Sequence, residues 1–178
     1  SDQQIKDIGQ VLNNKERPLK ERFRALFTLK NIGGKLAIDE ISRGFSDDSA
    51  LLKHELAYCL GQMQDGHALK ILTSVLENTA EEPMVRHEAA EAMGAIGLPE
   101  VIPLLEKYKQ DAVIEVAETC TIALDRVKWL QNAEKLEDNN PYASVDPSPP
   151  ATAAKTVSEL KSIYLDTTQS LFDRYRAM

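Results

Sequence analysis

Two stretches decide the fold of this chain: LLKHELAYCLGQMQ (51–64) and PMVRHEAAEAMGAIG (83–97). Both contain a basic residue, His, Glu, an apolar residue and Ala in that order, and both continue to an apolar residue followed by Gly. The two His-Glu pairs, His54-Glu55 and His87-Glu88, are therefore 33 residues apart at the same place in two copies of one repeat. A polar pair conserved between two such helices predicts a specific role, and metal ligation is the role that this residue type favours.

The repeat extends beyond these two stretches. Four segments with matching apolar positions begin 31, 33 and 29 residues apart: FRALFTLKNIG (23–33), HELAYCLGQMQ (54–64), HEAAEAMGAIG (87–97) and VAETCTIALDR (116–126). Further amphipathic runs follow the first three segments after turns rich in Gly and Asp. Helix–turn–helix units of about thirty residues that stack on one another are typical of an α-solenoid. The sequence predicts an all-α fold of about four helix-pair repeats, similar to HEAT repeats.

The pattern of the first helices returns at the C-terminus. VSELKSIYLDTTQSLFDRYRAM (157–178) matches IKDIGQVLNNKERPLKERFRAL (5–26) at a constant offset of 152 residues. Between the array and this echo lies a stretch rich in proline and small residues, which is typical of an extended linker. We therefore predict a repeat domain over 1–130, a linker over 131–156 and the start of a second, truncated repeat domain over 157–178.

Composition restricts the partners and the compartment. The formal net charge is −7 and the pI is about 5.1. We therefore expect a cationic partner rather than a nucleic acid. No apolar run approaches the ~20 residues of a membrane span, so no membrane association is predicted. The two cysteines, Cys59 and Cys120, both fall in apolar helical segments, which favours a reducing compartment and a cytoplasmic location.

Helix geometry predicts how the His-Glu pairs are used. Adjacent helical residues point about 100° apart, so His54 and Glu55 do not comfortably bind the same ion. His54 and His87 occupy equivalent positions on neighbouring helices and can converge on one metal. Imidazole and carboxylate donors with open positions suit non-haem iron best, with manganese or zinc as alternatives. Half of a duplicated array supplies too few ligands, which predicts a dinuclear site shared between two pseudo-symmetric halves.

The same residues are compatible with other uses. Tyr58 and Glu91 stand where a zinc protease would carry its second His, so that class is excluded. His67 is predicted to be solvated, and Arg22 is predicted to form a surface ion pair. The His-Glu pairs could also be repeat consensus facing solvent, but they occur in only two of the four repeats, which favours a functional role.

The residues also resemble a known family. LLKHELAYCLGQMQD, EPMVRHEAAEAMGAIG, FRALFTLKNIGG, VIEVAETC and PYASVDPSPP are similar to segments of deoxyhypusine hydroxylase, and the resemblance covers essentially the whole chain as its N-terminal half. It implies a HEAT-like di-iron monooxygenase with two Fe²⁺ per complete enzyme. Such an enzyme uses dioxygen to hydroxylate the deoxyhypusine side chain of eukaryotic translation initiation factor 5A, which forms hypusine.

The resemblance also implies roles for the two pairs. His54 and His87 would ligate one iron, Glu55 would reach the other, and Glu88 would bind metal or, more in keeping with the family, the polyamine-like substrate chain. The family carries four His-Glu pairs and this chain carries two, so we expect it to be inactive or nearly so alone. It would need the missing C-terminal half or a second copy of itself. The main alternative is a metal-free HEAT-like protein-interaction module, and a pigment-lyase-like HEAT protein is a more distant one.

Overall fold

Every regular element in the described part of the chain is helical. The computed structural model describes residues 1–132, 144–151 and 154–178. Short 3-10 turns occupy Arg43–Ser46, Gly66–Ala68 and Pro99–Val101. Ten α-helices lie in these ranges: α1 (Asp2–Asn13), α2 (Leu19–Ile32), α3 (Lys35–Ser42), α4 (Ala50–Met63), α5 (Leu69–Glu77), α6 (Pro83–Ile96), α7 (Ile102–Tyr108), α8 (Ile114–Asn132), α9 (Val157–Leu165) and α10 (Leu171–Ala177).

The helices stack in two rows. The first row consists of α1, α3, α5 and α7. The second row consists of α2, α4, α6, α8 and α10, which pack one on the next and are covered by the first row. Each covering helix and the second-row helix after it form a pair, so α1 to α8 make four helix pairs. The prediction of an all-α, HEAT-like solenoid of about four helix pairs is confirmed.

Local sequence determines where the helices of the second row begin and end. Ser49 caps α4, since its hydroxyl oxygen accepts a hydrogen bond from the backbone N–H of Leu52 at 3.2 Å. Gly97 ends α6 at φ +75°, in the left-handed region that favours glycine. Helices α4 and α6 both have 14 residues. His54 and His87 are each the fifth residue of their helix, so the sequence repeat is kept in three dimensions.

Backbone contacts through small residues fix the spacing of α4, α6 and α8. A Cβ atom added to Gly61 would lie 2.8 Å from the Cα of Ala92, and one added to Gly94 would lie 2.9 Å from the Cα of Ala123. Both contacts lie between consecutive helices of the second row. The buried side chains around them include Leu56, Leu60, Met93 and Leu124. The interhelical distance in this part of the row is thus set by backbone rather than by adjustable side chains.

Arg22 is buried, so the prediction of a surface ion pair is wrong. It is 4% exposed and ties three elements together. Its Nε donates to the carbonyl of Leu12 at 2.8 Å, and its Nη2 donates to Asp47 Oδ2 at 2.6 Å. The charge pattern around Arg22 resembles a solvated helix face. The carboxylate 25 residues later, which the local pattern does not reveal, reverses that interpretation.

The same arrangement recurs two repeats later. Arg86 Nε donates to the carbonyl of Leu76 at 3.0 Å, and Arg86 Nη2 donates to Asp111 Oδ2 at 2.6 Å. The guanidinium reaches ten residues back and twenty-five residues forward in both cases. This arginine clip is a structural part of the repeat that joins consecutive helix pairs.

Helices α9 and α10 follow α8 in the register that the 152-residue offset predicts. The breaks between α1 and α2 and between α9 and α10 lie at equivalent positions, since α9 ends at Leu165 and α10 begins at Leu171. The division into 1–130, 131–156 and 157–178 stays a prediction, because part of the linker, 133–143 and 152–153, lies outside the described residues. Within the described ranges no helix is both long and apolar enough to cross a membrane.

Candidate metal centre

His54 and His87 face each other across the contact between α4 and α6. Their ring centroids are 5.8 Å apart and the ring planes are inclined at 55°. Both side chains are partly buried. The close approach of Gly61 to Ala92, farther along the same two helices, holds the two imidazoles at this spacing. The sequence prediction that the two histidines converge agrees with this placement.

Glu88 completes a cluster with the two histidines. It is 5% exposed, and its Oε2 lies 3.1 Å from His54 Nε2. One ring nitrogen from each histidine and one carboxylate oxygen of Glu88 all lie within 4.8 Å of one another. The buried carboxylate of Glu88 on α6 therefore lies within hydrogen-bond distance of the His54 imidazole on α4.

Glu55 approaches the other side of the His54 ring. Its Oε1 lies 3.2 Å from His54 Nδ1, but Glu55 is not a member of the three-donor cluster. His54 thus stands between two carboxylates. The contact with Glu88 is the largest influence and raises the pKa of His54, against the opposing effect of burial and with a smaller contribution from Glu55.

His87 has a different electrostatic environment. Burial is the largest influence on it and lowers the pKa of His87, although Glu88 and Glu115 act in the opposite direction. Lone pairs on neutral imidazole are what a metal requires. The site therefore combines His87, whose burial favours the neutral imidazole, with His54, whose imidazole is held by the Glu88 carboxylate.

This donor set fits a divalent transition metal. Two donors bound to one ion at about 2.1 Å, with an angle of roughly 90–120° between their bonds, lie about 3.0–3.6 Å apart, so donor atoms that are up to 4.8 Å apart have to approach one another by about 1–2 Å. Two histidines and one carboxylate with open positions form the donor set of mononuclear non-haem iron sites. His54, His87 and Glu88 could hold one ion, and Glu55 is free to serve a neighbouring position.

Glu91 is a functional candidate that sequence reasoning did not assign. It lies one helical turn after His87, on the same face of α6. Burial, and then the nearby charges of Glu88 and Asp146, raise the pKa of Glu91 to about 7, although His54 acts in the opposite direction. The signal that could have found it is spacing: Glu91 and Tyr58 follow the two histidines by the same four residues.

The remaining predicted residues lie outside the cluster. His67 is exposed and lies 2.7 Å from Asp39, as expected for a solvated turn residue. Cys59 and Cys120 are both buried free thiols. Burial raises the pKa of each thiol to about 12, so neither is a ready thiolate ligand.

Known proteins share both the repeat and the complete sequence pattern. Residues 38–125 match the family of HEAT repeats. The chain is 76% identical over 178 residues to deoxyhypusine hydroxylase of Drosophila melanogaster and 56% identical over 178 residues to that of Homo sapiens. A solved structure of human deoxyhypusine hydroxylase in complex with glycerol superposes with a TM-score of 0.94 at 56% identity, covering 99% of this chain and 61% of that one.

The alignments with the fly and human proteins cover all of this chain but 59% of each relative's length. The predicted resemblance is confirmed by them and by the superposition. The fold, the repeat register and the sequence all agree with one assignment. From its first residue to its last, the chain is similar to curated deoxyhypusine hydroxylases.

Proposed function

We propose that this chain supplies one side of the metal site of a deoxyhypusine hydroxylase. The complete enzyme would add a hydroxyl group to the deoxyhypusine side chain of translation initiation factor 5A, using iron and dioxygen in the cytoplasm. The observation that carries the proposal is the cluster of His54, His87 and Glu88, whose donor atoms lie within 4.8 Å of one another. The similarity to deoxyhypusine hydroxylases over the whole chain supports the same activity.

The positions of the four predicted residues support a separate role for each of them. His54 and His87 would hold one iron ion through their ring nitrogens. Glu88 would either complete that ion's ligands within the chain or receive a cationic amine of the substrate. Glu55, whose carboxylate lies against the far side of the His54 ring, would serve the second iron of a di-iron site. A second set of ligands, from the rest of the enzyme or from another copy of the chain, would complete that site.

Iron would supply the one-electron reactivity towards dioxygen that hydroxylation of an unactivated C–H bond requires. The chain's own contribution is electrostatic and positional. Glu88 is buried, and the negative charges of Glu88 and Asp146 both act on Glu91 nearby. An alkylammonium chain, which is the chemistry of the deoxyhypusine side chain, would be attracted to this end of the second row.

The test is metal binding by the chain itself, measured as tightly bound iron after anaerobic loading with Fe²⁺ and as the affinity for Co²⁺ from its visible absorption. We expect at most one tightly held ion per chain. His54→Ala and His87→Ala should each weaken binding by at least about 100-fold, since even outer-shell partners contribute about 10–100-fold. Two tightly bound irons in the isolated chain would contradict the shared-site proposal.

His67→Ala is the matched control, since His67 is an exposed histidine whose imidazole pairs with Asp39, outside the metal cluster. It should bind metal like the parent chain. If the parent chain binds no metal and the two site variants behave like the control, the metal-free interaction module becomes the better interpretation. Light scattering with and without Fe²⁺ measures whether metal draws two copies together.

A further inference from the structure

Residues 144–151, which we call the strap, run across the second row from Gln62 of α4 to Arg176 of α10. Composition predicts an extended linker here, and the strap has no regular secondary structure. It is nevertheless attached at both ends by specific contacts, and Ser148 in its middle is 8% exposed. A segment held in this way has a defined position relative to the helices beneath it.

Gln62 anchors the first end of the strap. Its Nε2 donates to the carbonyl of Val145 at 2.9 Å, and its Oε1 accepts from the backbone N–H of Val145 at 2.8 Å. One side-chain amide thus satisfies both polar groups of one backbone residue, as a neighbouring β-strand would. Gln62 lies eight residues after His54 on α4, which corresponds to about 12 Å along the helix axis.

Arg176 anchors the other end. Its Nε donates to the carbonyl of Pro149 at 3.3 Å, and its own carbonyl accepts from the N–H of Ala151 at 2.8 Å. The guanidinium carbon lies 5.8 Å from the ring centroids of both Trp129 and Phe172. The strap therefore connects α4, which carries His54, with α10.

The middle of the strap lies next to the metal centre. Pro147 and Glu91 both line a cavity of about 30 Å³, to which Tyr175 also contributes. The negative charge of Asp146 acts on Glu91 and on Tyr58. Glu91 and Tyr58 each follow a cluster histidine by one helical turn, which is about 6 Å along the axis.

We propose that the strap is the fixed end wall of the His-Glu site and that Gln62 is the side chain that holds this wall in place. A ligand chain that extends from the two histidines along α4 and α6 meets the strap after about one to two helical turns, or about 6–12 Å. The strap thereby limits the length of ligand that the site accepts on this side. That the wall belongs to a metal site depends on the proposed function, but the attachment of the strap does not.

The first test measures hydrogen exchange at individual amides of the strap in the parent chain and in Gln62→Ala. Loss of both hydrogen bonds to Val145 should make its amide exchange roughly tenfold faster or more. The Ala151 amide, which is held by Arg176, should change less. Gln62→Glu keeps the acceptor for the Val145 N–H and should lie between the two. Gln10→Ala changes an exposed glutamine on α1 and is the matched control.

The second test measures whether the strap covers the site. In a Glu91→Cys variant, a thiol reagent should react at least about tenfold faster when Gln62→Ala is also present. The native thiols stay silent because both are buried with raised pKa values. Equal exchange at Val145 in all variants would overturn the anchor, and equal labelling with and without Gln62 would overturn the wall. Neither readout requires bound metal, so failure here is distinguishable from failure of the metal proposal.

Discussion

The helix pairs α1–α2 and α9–α10 share one sequence pattern but differ in what covers them. Arg22 Nε donates to the carbonyl of Leu12, and Arg174 Nε donates to the carbonyl of Tyr164 at 2.9 Å, so both arginines reach ten residues back. Arg22 also holds Asp47, whereas Arg174 forms no ion pair with another described residue. Leu12 is fully buried, while Tyr164, its equivalent at the 152-residue offset, is 43% exposed.

The difference separates two levels of folding. The turn between paired helices, and the arginine that spans it, form from local sequence alone, because they recur in both copies. Burial comes from the next helix pair, which supplies α1–α2 with α3, α4 and the Asp47 carboxylate. Stability in this repeat protein therefore resides mainly in contacts between neighbouring pairs.

The largest expected effect comes from removing the carboxylate that distinguishes the two pairs. Asp47→Ala leaves the Arg22 guanidinium buried without a counter-charge, so we expect the free energy of unfolding to fall by about 3–5 kcal/mol. Chemical denaturation by urea measures this change. Arg174→Ala, in the exposed copy, should cost less than about 1 kcal/mol.

A double variant sharpens that result. Arg22→Met combined with Asp47→Ala removes the buried charge together with its partner, so it should be more stable than Asp47→Ala alone. If Asp47→Ala and Arg174→Ala cost the same, the arginine clips do not join the repeats in the way the contacts indicate.

The second-largest effect tests the close backbone contact between α4 and α6 at Gly61 and Ala92. Gly61→Ala places a Cβ 2.8 Å from the Cα of Ala92, and backbone cannot rotate out of the way. We expect a net loss of about 1–3 kcal/mol from overpacking, despite a gain in helix propensity of about 1 kcal/mol. Thermal unfolding gives the stability, and Co²⁺ affinity reports whether the two imidazoles have moved apart. Lys161→Ala on the exposed α9 should change stability by no more than about 0.5 kcal/mol.

The smallest effect concerns Glu91, a half-buried carboxylate that forms no hydrogen bond or ion pair with another described residue. Glu91 has its pKa raised from 4.5 to about 7, so the folded protein binds this proton more tightly than the unfolded chain does. Its contribution favours folding at low pH and is lost as pH rises through about 7. Glu91→Gln should match the parent near pH 4 and exceed its stability at pH 8 by about 1–2 kcal/mol, which is less than the roughly 3.4 kcal/mol of the full pKa difference because solvent partly screens the half-buried carboxylate.

Urea denaturation between pH 4 and pH 8 measures this crossover. The exposed Glu16→Gln should leave the pH profile unchanged. A constant difference between Glu91→Gln and the parent at every pH would mean that the carboxyl group of Glu91 does not titrate in this range.

Sequence periodicity was sufficient for the architecture, because each repeat carries its own helix limits and its own apolar face. It also predicted that His54 and His87 converge, since equivalent positions on stacked helices point the same way. It did not predict that Glu88, and not Glu55, would lie in the three-donor cluster beside His54. That arrangement depends on side-chain rotamers and on how closely Gly61 lets α4 and α6 approach.

Contacts between distant residues were beyond the reach of sequence pattern. Gln62 and Val145 are 83 residues apart, and nothing in either segment alone indicates that they meet. Arg22 was misassigned for a similar reason, since its partner belongs to the next repeat. In both cases a local pattern describes the donor, and only the three-dimensional stack supplies the acceptor.

The glycine–alanine contacts between second-row helices have a consequence for design. Gly61–Ala92 and Gly94–Ala123 are successive uses of one interface, so the spacing of side chains across the row is independent of how many repeats flank it. An artificial array that copies the α4–α6 step would inherit the same separation between imidazoles at every added unit. Such arrays would carry pairs of metal-binding imidazoles at regular intervals, and the number of repeats could be changed without redesigning each pair.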